Sequence, residues 1–371
     1  MLNLTPFKLE RYFARYEFAV EHLLSSSDCD GWRLNELLRL ADDETRRLWD
    51  DLALGYTESQ GHPLLREEIA RLYTGITPAD CLAVVPEEGI FIALNAVLRP
   101  GDHAVCTFPG YQSLYEVAAG LGCQVTRWLP HEQNGWRFDP ADLAAAMQPN
   151  TRLIIVNFPH NPTGVLPSHA DFDAILAIAR QHNACLFSDE MYRWLEHDPR
   201  DRLPAACEMY ERGISLCGMS KTFGMAGARV GWVITRDRDV FSRMTTLKDY
   251  TTICGAAPSE ILAMIALRAR QTIINRHLTR IRRNLALLDG FFTRHAAQFR
   301  WVRPTAATIA FPRLTGAGGS LAFCQRVVEQ AGVLLLPSTV YDYGDQHFRL
   351  GFGRENMPEA LARLEAYLQH G

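Results

Sequence analysis

Residues 153–188 have the sequence LIIVNFPHNPTGVLPSHADFDAILAIARQHNACLFS, which predicts a strand, a helix and a second strand. Leu153–Val156 and Ala184–Ser188 are short apolar runs of the kind that forms buried strands. Between them, Ser168 is placed to cap a helix, with Asp171 at the capping-box position. Two strands joined through a helix run parallel in one sheet, so this stretch indicates an α/β fold.

The same alternation of strands and helices extends on both sides of this unit. Short apolar runs covered by helices on both faces are typical of a mainly parallel sheet. We therefore expect a large domain over residues 46–257 with a mainly parallel seven-stranded sheet. The five further strands are predicted at Cys81–Val85, Ala104–Phe108, Gln124–Trp128, Ile214–Cys217 and Val230–Ile234.

After Pro258 the rhythm of the sequence changes. A long helical stretch is predicted at about 259–294, and its arginines favour a solvated polar face. Short strands and two helices follow, which indicates a smaller α/β domain over residues 258–371. The N-terminal residues 1–45 precede the regular alternation, and we expect them to pack on this small domain. The strands are predicted at Thr308–Phe311, Val333–Leu335 and His347–Leu350, and the helices after Ser320 and from about Pro358.

The composition excludes several classes of protein. Hydrophobic residues make up 47% of the 371 residues and charged residues 22%, which is ordinary for a globular enzyme-sized chain. The net charge of −4 gives no reason to expect a nucleic-acid partner, and no apolar run is long enough to span a membrane. The first residues lack the basic start and apolar stretch of a secretion signal. Nine scattered cysteines favour a reducing cytoplasm, and the histidines show no metal-binding spacing, so we expect no metal site.

A single lysine carries the first sign of chemistry. Lys221 stands in Ser-Lys-Thr-Phe-Gly-Met-Ala-Gly-Ala-Arg, residues 220–229, shortly after the strand at Ile214–Cys217. This position puts its amine at the rim of the sheet, where α/β enzymes bind their ligands. A lysine amine forms Schiff bases with aldehydes, above all with pyridoxal phosphate. Taken alone, a solvated loop lysine is the more common case.

An acid and a phenol follow another strand end, in Ser188-Asp-Glu-Met-Tyr192. The carboxylate of Asp189 is expected in a partly dry site, where it needs a cation or a donor. A protonated pyridine nitrogen is such a partner, and Tyr192 can donate to the phenolic oxygen of the same ring. The alternative for Asp189 is a helix N-cap, which is the commoner use of aspartate after a strand.

Three more motifs lie at the ends of predicted strands or within them. Asn161 belongs to a proline-rich turn, residues 157–164, that can hold its amide towards a ligand oxygen or can be plain turn chemistry. Tyr111 follows Pro-Gly and can present its ring for stacking, although a core tyrosine is equally compatible. Arg349 lies in the motif 347–352, within the otherwise apolar strand His347–Leu350, where its fork can bind a ligand carboxylate or form a structural salt bridge.

Together, these motifs resemble the class I/II aminotransferase family, the pyridoxal-phosphate enzymes of fold type I. The turn Asn-Pro-Thr-Gly, then Asp-x-x-Tyr, then Ser-Lys with Gly-x-Arg, then an arginine in a C-terminal strand follow one another in the family's order over nearly the whole chain. Within the family, several stretches of this sequence most resemble those of capreomycidine synthase-like members. The similar stretches are residues 156–162, 248–251, 310–315 and the serine loop 25–27.

The resemblance implies roles for the residues around the cofactor ring. Lys221 resembles the lysine that forms the internal aldimine and moves the proton. Asp189 resembles the partner of the pyridine nitrogen, while Tyr192 and Asn161 resemble the donors to the phenolic oxygen. Tyr111 resembles the aromatic residue that stacks on the ring.

The resemblance also implies how the phosphate and the substrate are held. Arg229 and Ser220 resemble phosphate ligands, and Arg349 resembles the clamp for the substrate α-carboxylate, with Asn161 and Ser27 beside the substrate. Tyr56 resembles the tyrosine that reaches the phosphate bound by the neighbouring subunit. This last match implies a homodimer with shared active sites.

Two departures from the family pattern concern the phosphate. The small Gly-Ser-Thr type turn before the phosphate-binding helix is replaced by Val85-Pro-Glu-Glu-Gly89. We expect the backbone N–H groups of Glu87 and Glu88 at this helix start to contribute, with both side chains directed away. In addition, Gly218 stands where a serine or threonine often contacts the phosphate, so that contact is missing.

The expected function is transfer of an amino group from an L-amino acid to a keto acid. Elimination or cyclisation of the capreomycidine synthase type uses the same residues and stays open, as does a non-catalytic protein that keeps the fold. The acids Glu17, Glu21, Asp28 and Asp30 suggest a cationic, arginine-like substrate side chain, although a solvated acidic helix face is the more common explanation of such acids.

Overall fold

The computed structural model describes residues 3–370, and its centre is one sheet of seven strands. The strand order is β1-β7-β6-β5-β4-β2-β3, and only β7 runs antiparallel to its neighbours. The predicted mainly parallel seven-stranded sheet is therefore confirmed. The strands are Cys81–Val84 (β1), His103–Thr107 (β2), Gln124–Trp128 (β3), Thr151–Asn157 (β4), Cys185–Asp189 (β5), Gly213–Gly218 (β6) and Gly231–Thr235 (β7).

Helices from the first two-thirds of the chain surround this sheet. All five central strands are buried along almost their whole length, as the apolar runs predict. The helices are Lys8–Tyr16 (α1), Leu34–Leu38 (α2), Asp43–Asp50 (α3), Pro63–Ala70 (α4), Pro86–Val97 (α5), Ser113–Gly120 (α6), Pro140–Ala146 (α7), His169–Gln181 (α8), Ala206–Met209 (α9) and Arg238–Asp249 (α10).

Two predicted helix N-caps are confirmed, and a glycine fixes the turn that follows β4. The Ser168 side chain accepts a hydrogen bond from the backbone N–H of Asp171, and Asp139 caps α7 in the same way. Gly164 has a φ of +70°, and a Cβ at this position would lie 2.3 Å from the carbonyl oxygen of Ile309. Only glycine therefore fits the turn that follows β4.

The C-terminal third forms smaller sheets with their own helices. A three-stranded sheet has the order β11-β12-β9, and β10 pairs with β8. This agrees with a smaller α/β region, while the division of the chain at residues 45 and 257 stays a prediction. The elements are Ala257–Arg268 (α11), Arg270–Arg294 (α12), Phe299–Arg300 (β8), Ile309–Ala310 (β9), Arg313–Leu314 (β10), Ser320–Ala331 (α13), Leu336–Pro337 (β11), Phe348–Gly351 (β12) and Met357–His370 (α14).

Two predicted elements differ in detail. The single helical stretch at 259–294 is two helices, because the backbone leaves helical geometry at Ala269. The strand predicted at Val333–Leu335 instead falls at Leu336–Pro337, since Val333 bridges to His22 of the N-terminal segment.

The N-terminal segment spans both parts of the molecule. The backbone N–H of Lys8 donates to Gln112 Oε1 beside α6, at 2.9 Å. The Tyr12 hydroxyl donates to the carbonyl of Leu335 at 3.0 Å. The segment therefore contacts the large sheet's helices as well as the C-terminal region on which it was expected to pack. None of the helices within residues 3–370 is long and apolar enough to cross a membrane.

Candidate active site

A cavity of about 410 Å³ lies at the carboxyl edge of the parallel strands. The chain leaves β2, β4, β5 and β6 at this edge, and each strand end delivers part of the lining. Helix α1, the loop after it and strand β12 close the opposite side. Ten of the twelve predicted site residues line the cavity: Ser27, Glu87, Tyr111, Asn161, Asp189, Tyr192, Ser220, Lys221, Arg229 and Arg349.

Lys221 points its amine into this cavity. Nζ donates to Ser27 Oγ at 2.9 Å, so the serine predicted near the substrate contacts the lysine. Burial lowers the pKa of Lys221, and the nearby Arg349 acts in the same direction, whereas Asp28 opposes the shift. A lowered pKa increases the share of neutral amine at neutral pH, and a neutral amine is the form that attacks an aldehyde or accepts a proton.

Asp189 is a buried acid that forms no ion pair with a cation of the described residues 3–370. Its side chain is 5% exposed, and Oδ1 accepts only the backbone N–H of Met191, at 3.1 Å. Burial raises the pKa of Asp189 to about 7. The N-cap alternative is wrong, because turns rather than a helix follow β5. The site can therefore hold a ligand that brings its own positive charge to this carboxyl.

Two donors stand beside Asp189. The Tyr192 hydroxyl is buried and has no partner of standard hydrogen-bond geometry within residues 3–370. Asn161 Oδ1 accepts from the Tyr341 hydroxyl at 3.1 Å and from Arg349 Nη1 at 3.4 Å. The occupied oxygen directs the other end of the amide, Nδ2, to donate to a ligand.

Arg349 is a fully buried cation held by neutral oxygens. It is 1% exposed, and its Nε and Nη2 both donate to the carbonyl of Ser25, at 3.1 and 2.9 Å. Nη1 donates to Tyr341 Oη at 2.8 Å. No carboxylate of the described chain pairs with it, which excludes the structural salt bridge as its explanation. A buried guanidinium without a counter-charge is suited to bind the carboxylate of a ligand.

The phosphate end of the cavity shows why the two sequence departures occur together. Pro86 Cγ would lie 3.0 Å from a Cβ at Gly218 and 2.9 Å from one at Gly231. The proline ring therefore fills the space in which a serine or threonine side chain would stand. Ser220 and Arg229 line this part of the cavity, and the Ser220 hydroxyl is buried without a partner in the described structure.

The two glutamates at the start of α5 point in different directions. Glu88 turns away as expected: it accepts the N–H of Val85 and the hydroxyl of Thr252, and it lies 3.9 Å from Lys248 Nζ. Glu87 faces the cavity, so the expectation that both side chains point away is wrong for it. Its orientation follows from Ser113, which donates a short hydrogen bond to Glu87 Oε1.

Tyr56 stands apart from the cavity. It is 91% exposed in the loop between α3 and α4, where it contributes nothing to the lining. Glu88 and Tyr56 are thus the two predicted residues that this chain does not bring to the cavity by their own side chains.

Sequence reasoning missed several lining and supporting residues. Tyr341 lies in Ser-Thr-Val-Tyr-Asp-Tyr, residues 338–343, which matches no motif, and Arg354 binds Asp28 with two nitrogens at 3.0 and 3.1 Å. His160 lies in the turn of residues 157–164 and forms hydrogen bonds with Thr163 Oγ1 and the carbonyl oxygen of Pro109. It therefore connects the turns that carry Asn161 and Tyr111. Burial lowers the pKa of His160 to about 3, which keeps it neutral.

One wall of the cavity is acidic. Glu10, Glu17 and Asp28 line it, and Arg354 is the cation among them. Glu21 and Asp30, which the sequence also suggested, do not contribute to the lining. Burial raises the pKa of Glu17.

An amine, a buried acid and a buried arginine at the carboxyl edge of such a sheet define a pyridoxal-phosphate enzyme of fold type I. Residues 22–364 match the family model described as aminotransferase class I and II. The chain belongs to this family. It is thus a pyridoxal-phosphate-dependent aminotransferase, an enzyme with amino and keto acids as substrates, and the non-catalytic alternative is not supported.

Relatives of known name come from two groups. Capreomycidine synthase from Streptomyces vinaceus is 29% identical over 365 residues, which cover 97% of this chain and 93% of that protein. A probable aspartate/prephenate aminotransferase from Thermus aquaticus is 31% identical over 333 residues, with 85% and 84% covered.

Two solved structures are similar to this chain over nearly its whole length. A PLP-dependent aminotransferase from Streptococcus suis superimposes with a TM-score of 0.93 at 27% identity, over 99% of this chain and 98% of that one. A PLP-dependent cyclase, OrfR, superimposes with a TM-score of 0.90 at 29% identity and the same coverage.

The residues of this cavity fit pyridoxal phosphate. Two buried hydroxyls, of Tyr192 and Ser220, have no partner of standard hydrogen-bond geometry in the described part of the chain and can donate to ring and phosphate oxygens. Asp189 offers a carboxyl to a ring nitrogen, Tyr111 offers an aromatic face, and Arg229 offers a cation to the phosphate.

Proposed function

We propose that this enzyme transfers the amino group of an L-amino acid with Lys221 as the residue that moves the proton and Arg349 as the carboxylate clamp. One observation carries the proposal: the cavity combines a lysine of lowered pKa with a buried arginine that lacks a counter-charge. Arg349 orients the amino acid by its α-carboxylate, so that its α-carbon faces the amine of Lys221. The neutral amine would then remove the α-proton and, as the ammonium group, deliver it to the former aldehyde carbon of the cofactor, after which hydrolysis would release the keto acid.

The remaining residues support this chemistry. When bound, pyridoxal phosphate supplies an aldehyde that condenses with amines and a ring that accepts an electron pair. Asp189 keeps the ring nitrogen protonated, and Tyr192 and Asn161 donate to the ring oxygen. Tyr111, which lines the cavity, would stack on one face of the ring.

Absorbance spectroscopy tests the proposal. The purified protein is loaded with pyridoxal phosphate and mixed with single amino acids, and the cofactor spectrum and the keto acid product are followed. Conversion to the pyridoxamine form with one keto acid per site supports transamination. If no amino acid produces this change although the cofactor is bound, the proposal fails.

We further propose a homodimer in which Tyr56 reaches the phosphate site of the partner. Leu54, Tyr56, Tyr250 and Ile253 are exposed by 87%, 91%, 88% and 54%. Their loops are joined by the hydrogen bond from Ser59 Oγ to Asp249 at 2.8 Å, and exposed apolar side chains so close together favour an interface.

Mixed subunits test the shared site. Lys221→Ala and Tyr56→Ala chains are each combined with themselves and with one another, and the mass of the assembly is measured by ultracentrifugation. Mixed dimers should regain activity, because one of their two sites has both residues intact. A monomeric protein, or mixtures no more active than the separate variants, would disprove sharing.

Elimination or cyclisation is our second candidate reaction. It is favoured by the likeness to capreomycidine synthase and by the acidic wall, which suits a cationic side chain such as that of an arginine-like substrate. Mass spectrometry of the products separates the reactions, since a keto acid indicates transfer and an unsaturated or cyclised amino acid indicates the alternative.

Matched variants test the cationic substrate. Glu17→Gln should weaken binding of arginine relative to glutamate and phenylalanine, whereas Glu21→Gln, outside the cavity, should not change it. Absence of any preference for arginine in the wild-type protein would end this part of the proposal.

We also propose a cytoplasmic location. All nine cysteines are free thiols and seven of them are buried, which is compatible with a reducing compartment. Cell fractionation with an antibody against the protein tests this location.

A further inference from the structure

Glu87 is an acid placed where the bound group is an anion. It lies in the first turn of α5 and lines the cavity together with Ser220 and Arg229, the proposed phosphate ligands. Ser113 donates to Glu87 Oε1, and the Tyr111 hydroxyl also interacts with this carboxyl, whereas Oε2 is buried and has no partner of standard hydrogen-bond geometry within residues 3–370. The carboxyl is thus oriented through one oxygen, and the other oxygen is free to carry a proton.

Charged and titratable groups around Glu87 come from several elements. Glu10 of α1 and Asp189 at the end of β5 carry like charge, Arg229 carries opposite charge, and Tyr111 and Ser113 are neutral neighbours. Burial raises the pKa of Glu87 and outweighs the hydrogen bonds from Ser113 and Tyr111 and the charge of Arg229, which lower it, while Glu10 acts in the same direction as burial. A phosphate dianion in this place adds a strong like charge, which an ionised carboxylate in a partly dry site cannot tolerate.

We propose that Glu87 binds the cofactor phosphate as a neutral carboxylic acid, donating from Oε2 to a phosphate oxygen. This inference rests on the proposed use of the cavity for pyridoxal phosphate. In the free protein above the pKa of Glu87, the carboxylate takes one proton from solvent when the phosphate binds. The proton on Glu87 Oε2 then lies between this atom and a phosphate oxygen. Cofactor binding and proton uptake are therefore linked.

The direction of the pH dependence follows from this linkage. Below the pKa of Glu87 in the free protein the proton is already present, and the affinity for phosphate does not depend on Glu87 ionisation. Between that pKa and the higher pKa in the complex, affinity falls by up to about tenfold for each pH unit. Above the pKa of Glu87 in the complex, ionisation of Glu87 no longer changes the affinity with pH.

Calorimetry with pyridoxamine phosphate tests the inference, because this probe carries the phosphate but no aldehyde and so binds without a covalent bond. Titrations in two buffers of different protonation enthalpy count the protons taken up. Glu87→Gln should remove one proton from the count in the sensitive pH range and should bind the probe roughly tenfold more tightly one pH unit above the free-protein pKa of Glu87.

The neighbouring residue provides the matched control. Glu88→Gln should keep the wild-type proton count, because Glu88 faces Lys248 rather than the cavity. Ser113→Ala should shift the sensitive range to higher pH, since the lost hydrogen bond no longer favours the ionised carboxyl. Pyridoxamine, which lacks the phosphate, should show no difference between wild type and Glu87→Gln.

Equal proton uptake by wild type and Glu87→Gln would overturn the inference. A wild-type protein that does not bind pyridoxamine phosphate at any pH would instead contradict the proposed function, so the two failures are distinguishable.

Discussion

Asp189→Asn should stabilise the cofactor-free protein, and the gain should grow with pH. Burial raises the pKa of Asp189 from 3.8 to about 7. The folded protein therefore binds this proton more tightly than the unfolded chain, and stability is lost as the pH rises from 3.8 to 7. Three pH units at about 1.4 kcal/mol each correspond to about 4 kcal/mol. An asparagine is neutral at every pH and avoids this loss.

Urea unfolding of the cofactor-free proteins at pH 4 and pH 8 measures the effect. An unpaired asparagine amide adds a cost that is the same at both values, so the change between them is the quantity to compare. Asp173→Asn on the exposed face of α8 is the control and should show no such change. If the advantage of Asp189→Asn does not increase with pH, Asp189 is ionised at no cost and the account of the site is wrong. With pyridoxal phosphate present the variant should lose its advantage, because the cofactor then supplies the positive charge for Asp189.

Three other substitutions test separate parts of the site. Arg349→Lys keeps the charge but loses the fork, so kcat/KM should fall about 10²- to 10⁴-fold, mainly through KM, in steady-state assays. Lys221→Ala should abolish turnover while the protein still binds pyridoxal phosphate non-covalently, which equilibrium dialysis detects. Gly218→Ser should cost about 1–3 kcal/mol in urea unfolding, since its Cβ meets Pro86 Cγ, Gly231 Cα and the Val230 carbonyl oxygen at 3.0, 3.1 and 3.2 Å, and Pro86→Ala in the same chain should restore only the part that the proline ring causes.

Much of the fold was predictable because its signals are local. The strands before and after α8 are apolar runs, which the sequence shows directly. Ser168 and Asp139 cap their helices as their positions predict. The break at Ala269 was not predictable, because the residues on both sides of it favour a helix. The strand at Leu336–Pro337 also escaped, since its neighbour Val333 pairs with a segment more than 300 residues away.

Most of the residues of the candidate site were also predictable from the sequence. The order of Asn161, Asp189, Lys221 and Arg349 along the chain indicates the family, and the structure collects these residues in one cavity. Tyr341 was missed because a single tyrosine outside any motif carries no signal of its partner. Its importance arises only from the contact with Arg349, at 2.8 Å.

The sequence by itself determined the α/β alternation, the chemical groups at the strand ends and the family, because these depend on local patterning and on residue order. Tertiary structure alone decided which neighbouring groups face the cavity. Successive helical residues are about 100° apart, so the docking of α5 directs Glu87 to the ligand and Glu88 to Lys248. The same docking places Pro86 against Gly218, which makes two unusual residues complementary. Such choices depend on contacts between distant segments, which the order of residues along the chain does not contain.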